Sequence, residues 1–310
     1  MPNPMPSPCT PPPCARRPGT SPHRPMRQAI AAALRGLIVL VALVLAAPAP
    51  PRAETAPETE ALAEALQLGA LFAVMAAEGA DYGEGIEAEM FPGAGGAGWR
   101  AAVASIYAPD RQLAVFRSAF DARLAGIGAQ VAPVLDFFTT DPGRQIVTLE
   151  LSARRAFLDE AVEEASRLRF QEAQAAGDAR LAVVAEFIAA NDLIEANVAG
   201  ALNANYAFYQ GLLDTGGLGP AGPGEDEVIA EVWGQEAAIR DEIELWIHSY
   251  LFLAYAPLSD DDLALYLDFS RSAPGQALNA ALFAGFDAVF ADVSRRLGQA
   301  AGQRLSGSDL

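Results

Sequence analysis

A twelve-residue stretch at 135–146, Leu-Asp-Phe-Phe-Thr-Thr-Asp-Pro-Gly-Arg-Gln-Ile, returns in altered form at 267–278 as Leu-Asp-Phe-Ser-Arg-Ser-Ala-Pro-Gly-Gln-Ala-Leu. At a constant shift of 132 residues, Leu135, Asp136, Phe137, Pro142 and Gly143 meet identical residues, Thr140 meets Ser272, and Ile146 meets Leu278. Proline lacks an N–H, so it is tolerated in a helix only in the first turn, where Pro142 and Pro274 would stand. It also disfavours helical geometry in the residue before it, here Asp141 or Ala273, and so breaks the preceding helix. Thr140 and Ser272 can each offer a hydroxyl to the free N–H groups of a new helix. Gly143 and Gly275 remove a side chain where two helices must meet closely, with Phe137 and Phe269 packed into the corner. The motif therefore predicts a helix, a sharp corner and a second helix, built twice. Exposed N–H groups at a helix start can also bind an anion. The strong acidity of the chain favours the architectural reading.

The rest of the chain has the periodicity of helices, and no alternating strand of useful length stands out. A first helix runs from Glu58, with Leu62, Leu66, Leu68 and Phe72 covering much of its surface. Residues 81–90 predict a second short helix, ended by Pro92 and the Gly-rich run 93–98. The longest helix of the first half is expected over about 141–175, with Ile146, Leu149, Ala153, Phe157, Ala161 and Leu168 facing the core. Glu150–Arg154, Arg155–Asp159 and Glu163–Arg167 form i,i+4 pairs on its solvated side. In the helix that follows Asn191-Asp192, Ala196, Gly200 and Ala204 recur every four residues, with Ala207 and Gly211 nearby. Such a row lets a neighbouring backbone approach closely. The Gly/Pro-rich 215–224 reads as the connection between the halves. Beyond it, about 226–253 is expected as one helix with Val232, Ile239, Ile243, Trp246 and Tyr250 on one face. The fold class is all-α: two related helical units, 54–214 and 225–310, packed as one compact multi-helix domain or two tightly associated halves.

Residues 1–53 are set aside from the fold. Met26-Arg27 opens a short basic segment, followed by an uninterrupted apolar run over 36–47 and a Pro/Ala stretch to Ala53. Basic, then apolar, then small is the order of a secretory signal peptide, and the run is short of the roughly 20 residues a membrane span needs. Cleavage is expected near Ala53, the true start at Met26, and the location periplasmic or secreted, with no integral span left after cleavage. Six of the 21 basic residues precede residue 54 and no acidic residue does, so the remainder is more acidic than the full chain at −18. There is no Lys anywhere. Such a surface repels nucleic acid, which is excluded as a partner. Cys9 and Cys14 both lie in the leader, so the mature part has no disulfide.

On the corner motif, the chain resembles the secreted bacterial domain-of-unknown-function family numbered 2059. The features are a short helix ending in Leu-x-Phe, then Ser/Thr-x-Pro-Gly-Gln/Arg opening a longer amphipathic helix, with Leu258-Ser259-Asp260 as the cap ahead of it. Residues 246–300 carry the resemblance best, while the first copy lacks the Leu-Ser-Asp lead-in. The resemblance implies a helical, exported bacterial protein of unknown activity, and it supplies no catalytic residues.

The chemical candidates are few. Gly93-x-Gly95-x-x-Gly98 has the letters of a dinucleotide fingerprint without the strand it requires, so a helix–helix loop is expected. His248, the single histidine after the leader, shares a helix face with Glu244 and Asp241. A surface cluster that keeps the imidazole charged is expected there, since a metal site needs a third ligand from elsewhere. No catalytic, cofactor-binding or metal-binding set is assigned, and no cofactor is expected. Tyr206 and Tyr209, near the small-residue row, are the candidate lining of an apolar ligand pocket. The leading functional expectation is a non-catalytic binding or protein-interaction module whose partner is an envelope protein or an apolar small molecule. A carrier of an apolar ligand between the halves is the alternative, and a carboxylate-based hydrolase of an envelope polymer the second. Where the two copies of the motif differ, or in the cleft between them, is where a functional surface should lie.

Overall fold

The computed structural model describes residues 56–127, 131–219 and 222–307. The expected leader, with its expected cleavage near Ala53 and start at Met26, lies outside the described residues. Within them every regular element is a helix. The order is α1 (Ala56–Ala65), α2 (Leu68–Met90), α3 (Gly96–Ile106), α4 (Pro109–Ile127), α5 (Val131–Thr139), α6 (Gly143–Ala156) and α7 (Glu160–Ala176). Then follow α8 (Arg180–Ala190), α9 (Leu193–Asp214), α10 (Glu225–Trp233), α11 (Glu236–Tyr255), α12 (Asp260–Arg271) and α13 (Ala273–Leu305).

The repeated motif forms the α5–α6 and α12–α13 corners. In the second, Ser272 Oγ accepts from the Gly275 N–H (3.2 Å) and donates to the Phe269 carbonyl (2.6 Å), tying both helices together. Thr140 departs from the expected cap. Its hydroxyl donates back to the Asp136 carbonyl (2.8 Å), which uses it at the end of α5, and α6 starts without a side-chain cap. The Asp141–Pro142 peptide is cis. Both glycines are required by space: a Cβ on Gly143 would overlap the Phe137 carbonyl oxygen, and one on Gly275 the Phe269 carbonyl oxygen. Phe137 and Phe269 do more than fill their own corners. Their rings stack on each other at 4.1 Å and 9°. The two copies of the motif thus meet face to face.

Around that contact the packing repeats. α1 packs on α5 as α8 packs on α12, and α2 on α4 as α9 on α11. α4 lies along α13, while α11 lies along α6 and α7. Each copy therefore lends its fourth long segment to the helix that follows the other copy's corner. The α1–α2 and α8–α9 joints match as well, each holding a non-glycine residue in the left-handed region, Gln67 (φ 53°) and Asp192 (φ 50°). By this packing the copies are α1–α7 and α8–α13. Gly177 at φ 69° ends α7 between these two sets, and the 215–224 connection joins α9 to α10, which pack against each other.

The helix expected over 141–175 is broken. α6 ends at Ala156, and Asp159 caps α7 by accepting from the Ala161 N–H (2.9 Å). The break resets the helical phase, so Ile146 is fully buried whereas Leu168, expected in the core, is 49% exposed. The helix expected over 226–253 is likewise divided at Gly234, although Val232, Ile239, Ile243, Trp246 and Tyr250 are all buried. Residues 81–90 continue α2 without interruption. α13 runs unbroken and is the spine of the fold. It presses against the small-residue row of α9, where Gly211 meets the Arg295 carbonyl and Gly298 the Phe208 carbonyl with no room for a side chain. α13 is long and apolar enough to cross a membrane, but most of its apolar window is buried within the protein.

Candidate functional site

A cavity of about 140 Å³ lies between the two copies, walled by α6 on one side and α13 on the other. Four pairs of positions related by the 132-residue shift line it together: Phe138 and Ser270, Val147 and Asn279, Glu150 and Leu282, Arg154 and Phe286. In every pair a polar or charged residue of one copy stands where the other copy has an apolar one. Leu66 and Asn191, equivalent in the α1–α2 and α8–α9 joints, line it too. Leu68, Leu71, Phe187, Trp246, Tyr250, Tyr266 and Phe269 add apolar surface.

Glu150 gives the cavity its chemistry. It sits one turn past the apolar Ile146–Val147 pair of α6, and the corner aims that helix inward. Tyr255 and Tyr266 both donate to its Oε1, at 2.7 and 3.3 Å, and Tyr250 donates to its backbone carbonyl (2.7 Å). The residue lies deep in the protein yet keeps some accessible surface, because it lines the cavity. Burial, only partly offset by the two tyrosine hydrogen bonds, pushes its carboxyl up to about 7. Burial and the Glu150 charge in turn hold Tyr255 and Tyr266 well above the usual phenol range. One turn on, Arg154 forms a two-pronged pair with Glu78 of α2, Nε to Oε1 at 2.8 Å and Nη2 to Oε2 at 2.7 Å. Burial opposes the guanidinium charge, and Glu78 more than restores it. Glu150 and Arg154 are therefore not the solvated i,i+4 pair that their spacing predicts: each faces inward and has other partners.

On α13, Asn279 lines the same cavity, and its Nδ2 is buried without a hydrogen-bond partner. Asn191 is settled, donating from Nδ2 to the Phe187 carbonyl (2.9 Å). The aromatic wall is ordered: Trp246 and Tyr250 stack at 4.7 Å, and Tyr266 leans on Phe187 at 4.7 Å.

The residues singled out from sequence fall in several places. Phe137, Thr140, Pro142, Gly143, Phe269, Ser272, Pro274 and Gly275 form the two corners, and of these Phe269 and Gly275 also line the cavity. Tyr206 and Tyr209 do not line it. Tyr206 is half-buried and donates to Glu225 (2.7 Å), and Tyr209 is buried within α9. His248 is not an exposed imidazole held charged. It stacks on Phe170 at 5.3 Å, and that burial lowers its pKa despite Glu244. No group of three or more His, Cys, Asp or Glu among the described residues is placed to hold a metal ion. Of the expected Gly93–Gly98 loop, the part up to Gly95 joins α2 to α3 and Gly96–Gly98 already form the first turn of α3, with the Gly95 N–H donating to Glu87 (3.0 Å) and its carbonyl accepting from Arg304.

No family model, curated protein or solved structure matches the chain.

Proposed function

We propose that this protein binds a small, largely apolar molecule in the cavity between its two copies, and that it does so as an exported, periplasmic protein. The observation that carries the reading is the lining: among the positions at which the copies of the repeat differ, four pairs border one cavity, each setting a polar or charged residue against an apolar one. A cavity of about 140 Å³ matches the engineered apolar cavity of roughly 150 Å³ that accepts benzene. Its walls are apolar and aromatic with a few placed polar groups, the composition of small-molecule sites. Hydrolysis by a pair of carboxylates is not favoured, because Glu150 is the one carboxylate among the described lining residues. Export rests on the leader, and kinship with family 2059 rests on the corner motif.

Calorimetry and thermal melts with benzyl alcohol, indole and cyclohexanol test the reading. Saturable binding that raises the melting temperature is expected, and Leu282→Trp, which fills the cavity, should abolish it. A folded wild type that binds neither these nor the ammonium analogue benzylamine, or a filled variant that binds as well, would overturn it.

A further inference from the structure

We propose that the ligand of this cavity is a small organic cation, an alkyl- or arylammonium ion, held by the Glu150 carboxylate within an aromatic wall. The inference rests on the cavity being a binding site, and adds the charge of what fills it.

Among the described residues, four charged or titratable side chains line the space: Glu150, Arg154, Tyr250 and Tyr266. The guanidinium is committed to Glu78 through two hydrogen bonds, so those two charges cancel locally. Burial keeps Tyr250 and Tyr266 neutral by raising both phenols. What the cavity offers a ligand is therefore a single negative charge. Tyr255 and Tyr266 converge on Oε1 and neither engages Oε2. The second oxygen is left for a donor.

Three classes of occupant respond differently to that charge. An anion is repelled by it. A neutral molecule leaves a buried carboxylate uncompensated, which is costly, or forces it to take up a proton. An ammonium ion cancels it and donates hydrogen bonds to it. The wall suits the same occupant, because Trp246, Tyr250, Tyr266, Phe138 and Phe269 all line the space and accept its apolar substituents, and aromatic rings attract a cation. The net charge of −18 also concentrates cations around the protein.

The groups facing Glu150 are Arg154 on its own helix, Glu78 on α2, Tyr250 and Tyr255 on α11, and Tyr266 on α12. The Glu150 carboxyl is pushed up to about 7 by burial, so cation affinity should rise with pH as it ionises.

Benzylamine and benzyl alcohol, alike in size and different in charge, separate the possibilities when titrated calorimetrically into the full protein. At pH 8 the amine should bind at least about ten-fold tighter than the alcohol. That preference should shrink at pH 5.5, where protons hold Glu150, and vanish in Glu150→Gln. The wild-type comparison at two pH values stands even if the variant does not fold. Alcohol binding as tight as the amine at pH 8, or a preference unchanged at pH 5.5 or in the variant, would refute the cation while leaving the cavity reading intact. Binding of neither compound would remove both.

Discussion

Replacing Glu150 by Gln should make the protein more stable at neutral and alkaline pH. The carboxyl titrates near 4.5 when unfolded and near 7 in the fold. Its native pKa is raised, so the stability it contributes is fully present below about pH 4.5 and is lost as pH rises through about 7. At about 1.4 kcal/mol per pH unit, and allowing for solvent that reaches the cavity, the ionised carboxylate costs the fold about 2–3 kcal/mol at pH 8. Gln keeps the shape and an oxygen for the Tyr255 and Tyr266 hydroxyls, but never ionises. Urea unfolding of both proteins from pH 4.5 to 8.5 should give nearly equal stabilities at the acid end. The curves should then diverge until the variant leads by about 2–3 kcal/mol, or roughly 5–10 °C in melting temperature for a chain of this size. A variant less stable than wild type at pH 8, or an offset that does not change with pH, would show that the carboxylate is at ease where it sits and defeat the argument. A group that weakens the fold at working pH is a reasonable marker of function.

Two further predictions concern the frame. Gly275→Ala drives a methyl group into the Phe269 carbonyl and should cost roughly 1–3 kcal/mol in denaturant unfolding; an unchanged midpoint would mean that the corner can open. Arg154→Met leaves Glu78, whose side chain is 19% exposed, without its partner, and should cost about 3–5 kcal/mol. Adding Glu78→Gln should recover much of that loss, and no recovery in the double variant would place the effect in packing instead of charge.

Much of the frame could be read from residue types with one conformational use. Proline, glycine and hydroxyl residues at 140–143 and 272–275 mark both corners, and the periodic apolar positions of α11 and α13 name buried faces. What the sequence hid depends on phase and on partners far along the chain. Nothing near Phe157 announces a break as plainly as Pro or Gly does, yet the break turns Leu168 to solvent. Glu150 and Arg154 have the spacing of a surface ion pair, and only α2, α11 and α12 reveal that they point inward. A signal was nonetheless available. Carrying the 132-residue alignment past Ile146 sets Val147, Glu150 and Arg154 beside Asn279, Leu282 and Phe286, each a change in polarity. The Gly/Pro-rich 215–224 is a conspicuous breaker in sequence, yet the helices on either side of it, α9 and α10, pack against each other.

The exchange of long helices between the copies has a consequence for how the chain folds. α4 finds its main partner in α13, and Arg111 reaches Asp292 at 2.6 Å across 181 residues of sequence. Neither copy can complete its core until the other has been synthesised, so folding waits on distant contacts and loop closure. The two halves should melt in a single transition, and a chain cut at residue 178 should fold only when its pieces are mixed. A molecule in the cavity touches both copies at once, and so acts as a clasp on the whole protein.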